Sequence, residues 1–146
     1  MATSPVFLPD VLEKYYVGKH ATISYNTELG FVLCTATASY IPRAELQEIF
    51  ESAGELILRE KLTKCIYDER RLVAFHLPSM EWLYLVWTEK MYKHGLVSHR
   101  KLLPDNKYFE HLVNIGRGKI LRENSWFTFE KYDIIYCKTL KEAIEQ

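Results

Sequence analysis

A run of charged residues, Asp68-Glu69-Arg70-Arg71, follows an apolar stretch of the chain and combines two carboxylates with two guanidinium groups. In open α/β sheets, ligands and partners bind at the carboxyl ends of parallel strands, and a following helix N-terminus can receive an anion. We expect Asp68 and Arg70 to set the register of a partner there, with Arg71 as a further contact. The alternative is structural: Asp68 caps backbone amides and pairs with Arg70, while the other two side chains are solvated.

The segment from Pro78 to Gly95 is predicted to be a helix that is apolar nearly all round. At about 100° per residue, one face carries the residues expected to meet the core, which are Met80, Leu83, Tyr84, Trp87 and Met91. Outside this face lie Trp82, Leu85 and Val86. These three are expected to anchor a second contact surface, for a dimer, a protein partner or a lipid. Alternatively, the chain covers them itself with the loop 68–77 or with the segment 6–8.

Residue types suited to catalysis or metal binding are present, but not in a catalytic pattern. The five histidines form neither HxxxH nor HExxH, and Gly116-Arg117-Gly118-Lys119 is neither a P-loop nor a dinucleotide fingerprint. The three cysteines lack CxxC spacing and lie in apolar runs, so we expect buried free thiols in a reducing compartment. No catalytic residue, metal or cofactor is therefore predicted. A preformed pocket lined by Asp68, Arg70 and a histidine would favour an enzyme instead.

These side chains must be positioned by alternating strands and helices. A half-buried strand at 21–25 and a more apolar strand at 31–38 are predicted to form an antiparallel hairpin. Further elements are expected in the order helix, strand, helix, strand, helix, strand, helix: 42–61, 64–67, 78–95, 99–103, a helix from 108 that weakens at 116–118, 134–137, and a helix opened by a capping box at 139–142. The order ββαβαβαβα predicts an α/β fold with one mixed, mostly parallel sheet. Residues 1–19 are predicted to be an extension that packs on a domain at 20–146.

Length and composition limit the class of protein. The chain has 146 residues, enough for one domain, and its 48% hydrophobic and 26% charged residues exclude intrinsic disorder. Nineteen basic and nineteen acidic side chains give a net charge of zero, so no overall field favours nucleic acid or an anionic membrane. No apolar stretch approaches the roughly 18 residues of a membrane span, and we expect a soluble cytoplasmic protein. Aromatic residues reach 14%, which predicts rings in a pocket or on a surface.

The order of elements, together with three short segments, resembles a known family. The segments are Tyr67-Asp68-Glu69-Arg70 at a strand end, Glu81-Trp82 in the second helix, and 136–143. From Ala21 to Glu145 the chain is similar to the STAS-like, anti-sigma-factor-antagonist-like (SpoIIAA-like) proteins of Bacteroidetes, small cytoplasmic bacterial domains grouped with STAS and with lipid-binding SEC14 proteins. The resemblance implies a non-catalytic regulatory module that docks on a protein partner or forms a homodimer. The alternative that it implies is a SEC14-like binder of a lipid or a small apolar ligand.

One departure from that family concerns phosphorylation. Antagonists of this kind carry a phosphorylatable serine in a D-S-S-G-like turn that precedes a helix. The corresponding loop here, 68–79, lacks that sequence, and Ser79 is its only hydroxyl side chain. Ser79 is therefore the one phosphorylation site that the resemblance offers, whereas its position before the second helix favours a plain helix N-cap.

Overall fold

The computed structural model describes residues 12–146, and six strands of this part form one sheet. The strands are β1 (Glu13–Val17), β2 (Ala21–Asn26), β3 (Phe31–Ala36), β4 (Lys64–Asp68), β5 (Ser98–Leu102) and β6 (Ile134–Tyr136). They lie in chain order across the sheet. The pairs β1/β2 and β2/β3 are antiparallel, whereas β3/β4, β4/β5 and β5/β6 are parallel. The predicted α/β class with a mixed, mostly parallel sheet is therefore confirmed.

Helices connect the parallel strands and close the chain. They are α1 (Arg43–Glu60), α2 (Leu77–Trp82), α3 (Glu89–Tyr92), α4 (Lys107–Glu123) and α5 (Leu140–Glu145). A π-helical segment (Leu83–Thr88) joins α2 to α3 without a break, so 77–92 is one continuous rod, which we call the composite helix. A short 3₁₀ turn (Glu130–Tyr132) precedes β6. None of the helices in residues 12–146 has the length and apolar character needed to cross a bilayer.

The two faces of the sheet bury different sets of side chains because neighbouring residues of a strand point to opposite faces. One face packs against α1 and the composite helix, with a core that includes Val32, Cys65, Leu56, Ile57, Trp87 and Met91. The other face packs against α5, with a core of Phe31, Leu33, Ile66, Leu102, Cys137 and Ala143. The central strands β3 and β4 contribute to both cores, which explains why their sequences are apolar at nearly every position.

The predicted order ββαβαβαβα lacks the first strand of the sheet. β1 lies within the segment 1–19 that was predicted to be an extension, and it pairs with β2. Its sequence gives no clean alternation because Glu13, Lys14 and Val17 are exposed and the register shifts between Lys14 and Tyr16. An edge strand of this kind buries little apolar surface, so the two-residue period is weak.

The predicted weakening of the third helix at 116–118 is wrong, because α4 continues to Glu123. Gly116 is buried where α4 packs on α2, and a Cβ atom there would lie only 2.5 Å from the Met80 sulfur. The glycine therefore allows two helices to approach closely rather than ending one. The helix begins at an N-cap formed by Asn106, whose side chain accepts hydrogen bonds from the backbone amides of Tyr108 and Phe109.

The predicted cap of the last helix is confirmed. Thr139 Oγ1 accepts a hydrogen bond from the backbone amide of Glu142 at 3.1 Å. The opposite end of α5 is held by a basic side chain of the sheet, since Lys64 Nζ donates to the carbonyl oxygens of Ala143 and Ile144 at 3.0 and 2.9 Å. A cation at the carboxyl end of a helix satisfies free carbonyls and complements the helix dipole.

Candidate functional site

A partly open cavity of about 90 Å³ lies at the carboxyl ends of β3, β4 and β5. Its walls come from these strand ends, α1, the loop after β4, the composite helix and α4, and most of the lining side chains are apolar or aromatic, among them Ile49, Phe50, Leu72, Phe75, Leu83 and Phe109. The few polar side chains at the cavity are Thr35, Asp68, Glu69, His76, Ser79 and Lys101, with the phenols of Tyr67 and Tyr84. A mostly apolar, concave site with a few polar groups is typical of small-ligand binding.

Lys101 is the central polar residue of this cavity. Strand alternation turns it toward the helices, where its side chain is only 5% exposed. Its ammonium group lies 4.3 Å from the ring centroid of Tyr67 and 4.6 Å from that of Tyr84, so two aromatic faces flank the charge. Within the described part of the chain Lys101 forms no ion pair. A buried cation without a salt-bridge partner is costly and rare, so Lys101 is a candidate for a functional residue.

Glu69 supplies the opposite charge at the same cavity. Burial by itself would lower the pKa of Lys101, but Tyr84 and Glu69 reverse this effect, and the pKa lies above the ordinary lysine value. Burial raises the pKa of Glu69, and Lys101 opposes that shift. Lys101 is therefore an ammonium group at neutral pH. It interacts with the Glu69 carboxylate across the cavity rather than by direct contact.

Ser79 does not form the N-cap that was predicted for it. The helix begins one turn earlier, with His76 in the N-cap position, and the amide of Ser79 donates to the His76 carbonyl at 3.0 Å. The Ser79 side chain is 2% exposed, lines the cavity, and its Oγ lies 3.0 Å from His76 Nδ1. As a phosphorylation site, Ser79 would require the helix start to open, because its hydroxyl is shielded from solvent.

A pocket lined by Asp68, Arg70 and a histidine would favour an enzyme, and the cavity meets this condition only in part. Asp68 and His76 line the cavity, whereas Arg70 lines a separate, more polar groove of about 720 Å³ beside β6. A serine activated by a histidine needs a third group that orients the imidazole. Among residues 12–146, Ser79 is the only hydrogen-bond partner of the His76 side chain. No three His, Cys, Asp or Glu side chains in this range are grouped so that they could hold a metal ion.

The charged loop after β4 has the geometry of the structural alternative. Arg70 Nε donates to Asp68 Oδ1 at 2.9 Å, and Arg70 Nη2 donates to Asp68 Oδ2 at 2.8 Å, a bidentate pair. The carboxylate of Asp68 is nearly buried, whereas 47% of the Arg70 side chain is exposed. Arg71 is exposed as well. Glu69, which was expected to be solvated, instead lines the cavity and is half-buried.

The Arg70→Ala variant is expected to lower the free energy of unfolding by about 1 kcal/mol, because it removes both hydrogen bonds to a nearly buried carboxylate. The loss is no larger because ion pairs of exposed side chains are weak. Arg71→Ala is the matched control, and a change of no more than about 0.5 kcal/mol is expected for it. Urea unfolding of the two variants measures the difference. Equal stability of both variants would show that the bidentate pair contributes nothing.

The three residues expected to anchor a second surface differ in their surroundings. Trp82 is half-buried and packs on the core shared by α1 and the sheet. Leu85 is half-buried and packs on a separate aromatic cluster, which includes Tyr84, Phe127, Phe129 and Tyr132. Val86 is 52% exposed. The segment that follows α4 therefore covers much of this side of the composite helix, while the segment 6–8 lies outside the described residues.

Sequence reasoning missed Lys101, His99 and the role of Glu69. An indication was available, since His99, Arg100 and Lys101 are the first three residues of the strand predicted at 99–103. All three are nearly fully buried in β5, which has a hydrogen-bonded neighbour on each side. Charged residues are almost never fully buried unless they are paired, so such a triplet in a central strand indicates a site.

Comparison of the chain with protein families, with curated proteins and with solved structures finds no match. The similarity to STAS-like proteins stays a prediction from the sequence.

Proposed function

We propose that the protein is a non-catalytic binding module whose cavity takes up a small, mostly apolar ligand. The observation that carries the proposal is the cavity itself, preformed at the carboxyl ends of three neighbouring strands and lined mainly by aliphatic and aromatic side chains. Ligands of open α/β sheets bind at this end of the strands. We place the module in the cytoplasm, because its three cysteines are all buried free thiols.

The size of the cavity limits the ligand. An apolar cavity of about 150 Å³ in another protein holds benzene. The cavity here is about 90 Å³ and therefore encloses roughly four non-hydrogen atoms, with the rest of the ligand at the opening. A short branched or cyclic group fits this space, whereas a complete acyl chain does not. Of the two SEC14-like alternatives, a small apolar ligand thus has more support than a lipid.

Docking on a protein partner is the second candidate and rests on Val86. This side chain is more than half exposed on the composite helix, next to the half-buried Leu85. The support is narrower because Trp82 and Leu85 already pack within the chain. A homodimer through this face would bury Val86, and native mass spectrometry would detect it as an even oligomer.

Xenon is the probe for the cavity, since its atoms enter preformed apolar cavities without needing polar contacts. Methyl resonances of Ile49 and Leu83 are expected to shift saturably with xenon pressure. Ala36→Leu adds three carbon atoms at the cavity wall and should abolish these shifts. Ala44→Leu is the matched control, because Ala44 is exposed and lies outside the cavity.

The outcomes separate the candidates. Saturable shifts that only Ala36→Leu removes would support the binding module. Shifts that persist in Ala36→Leu would place the xenon site elsewhere, and absence of any shift in the wild type would overturn the proposal. A stable dimer that Val86→Glu dissociates, with no xenon response, would favour the docking module instead.

A further inference from the structure

The charged groups at the cavity indicate what kind of polar group a ligand carries. Lys101 and Glu69 both line the cavity, and neither side chain forms an ion pair or a hydrogen bond with a side chain of opposite charge in the described residues. Asp68 also lines the cavity, but Arg70 already neutralises it through the bidentate pair. The cavity therefore presents one strong donor and one strong acceptor that do not satisfy each other.

Charge balance restricts the ligand. A ligand anion would be attracted by Lys101 and repelled by Glu69. A ligand cation would be attracted by Glu69 and repelled by Lys101, so the two residues together favour neither charge. Removing an ion from water into a mostly apolar cavity is itself costly. A neutral group with an acceptor beside a donor can instead accept from the ammonium group and donate to the carboxylate, and hydrogen bonds to charged groups are the stronger ones.

The pKa of Lys101 agrees with its role as the donor. The pKa of Lys101 lies above its ordinary value, despite burial, with Tyr84 and Glu69 as the opposing causes. Lys101 is therefore an ammonium group at neutral pH. The rings of Tyr67 and Tyr84 flank the nitrogen and hold it at the cavity.

We propose that the cavity recognises a small neutral carboxamide-type group, a carbonyl oxygen beside an N–H, which accepts a hydrogen bond from Lys101 and donates one to Glu69 while an aliphatic or aromatic end fills the apolar wall. The inference rests on the proposed function, because it requires that the cavity binds a ligand. Lys101 would contact the acceptor of the ligand's polar end, and Glu69 would contact its donor.

Three probes with the same branched four-carbon skeleton test this recognition: isobutyramide, isobutyrate and isobutylamine. Titration into the full chain, followed by NMR at neutral pH, should show that isobutyramide binds at least ten times more tightly than either charged probe. The variants Lys101→Met and Glu69→Gln should shift this preference in opposite directions. Lys101→Met removes the repulsion of the amine and favours isobutylamine, whereas Glu69→Gln removes the repulsion of the acid and favours isobutyrate.

Xenon binding is measured in the same samples as a control for the fold and for the apolar cavity. Xenon shifts retained in both variants, together with the crossed change in preference, would support the inference. If xenon binds but the wild type, Lys101→Met and Glu69→Gln all rank the probes in the same order, the carboxamide assignment fails while the binding function stands. If xenon does not bind to the wild type, the proposed function fails first.

Discussion

Between pH 6.5 and about pH 4 the protein is expected to lose about 3 kcal/mol of its free energy of unfolding through one side chain, His99. Burial, with Lys101 and Arg100 beside it, lowers the pKa of His99 from 6.5 to about 3 in the folded state. Over this pH range the unfolded chain therefore binds a proton at His99, whereas the folded chain does not. Stability is complete above pH 6.5 and falls as the pH is lowered toward 3.

The surroundings of His99 explain the strength of this effect. The ring is 1% exposed, and its Nδ1 shares a hydrogen bond of 2.7 Å with the hydroxyl of Tyr67. Its Nε2 is buried and has no hydrogen-bond partner among the described residues. Protonation would therefore leave the N–H at Nε2 without an acceptor and add a charge beside Lys101 and Arg100. Asp133 opposes the shift but is outweighed.

Urea unfolding at a series of pH values tests this expectation by difference. The carboxylates titrate over part of the same range, so the comparison is between variants. His99→Gln should flatten the stability profile between pH 6.5 and about 4. His111→Gln is the matched control for loss of an imidazole, because His111 lies at an exposed position of α4. A parallel profile for the wild type and His99→Gln would show that His99 does not control acid stability.

The elements that the sequence predicts well are those with a local pattern. The hairpin of β2 and β3 follows from alternation and from the turn at 26–30, and α1 follows from its apolar stripe. The N-cap of α5 at Thr139 is also confirmed, although the Glu142 carboxylate accepts from the amide of Lys138 rather than from that of Thr139. β1 has no such pattern, because it is an edge strand whose Glu13 and Lys14 are exposed. Its place depends on pairing with β2 rather than on its own residues.

The candidate site depends on contacts that no short segment contains. The charged loop 68–71 was predicted to lie at the carboxyl end of a strand, and it does. The side chain of this loop that lines the cavity without a direct partner among the described residues is Glu69, whereas Arg70 pairs with Asp68. Asp68 is the last residue of β4 and pairs with Arg70. The side chain of Glu69 is therefore the one that remains available to the cavity. Lys101 comes from the neighbouring strand, 32 residues further along than Glu69. Only the parallel register of β4 and β5 brings these two charges to one cavity.

Replacement of Arg100 by methionine is expected to lower the free energy of unfolding by about 3 kcal/mol, because it removes one partner from several buried hydrogen bonds and leaves the acceptors unsatisfied. Arg100 lies on the α5 side of β5 and is 4% exposed. Its Nη1 donates to the carbonyls of His99 and Asp133 at 3.0 and 2.9 Å. Its Nη2 donates to the carbonyl of Gln146 at 2.8 Å.

These bonds connect β5 to the loop before β6 and to the end of α5, so the effect should be largest there. Arg100→Met keeps an unbranched side chain that replaces the aliphatic stem of arginine, so the packing of that stem is retained. Arg122→Met is the matched control, because Arg122 is exposed in the last turn of α4, and it should change stability by no more than about 0.5 kcal/mol. Hydrogen exchange should show faster exchange at the amides of Ala143 and Gln146 in Arg100→Met alone. Unchanged protection of α5 in this variant would mean that Lys64, which donates to the carbonyls of Ala143 and Ile144, holds the helix without Arg100.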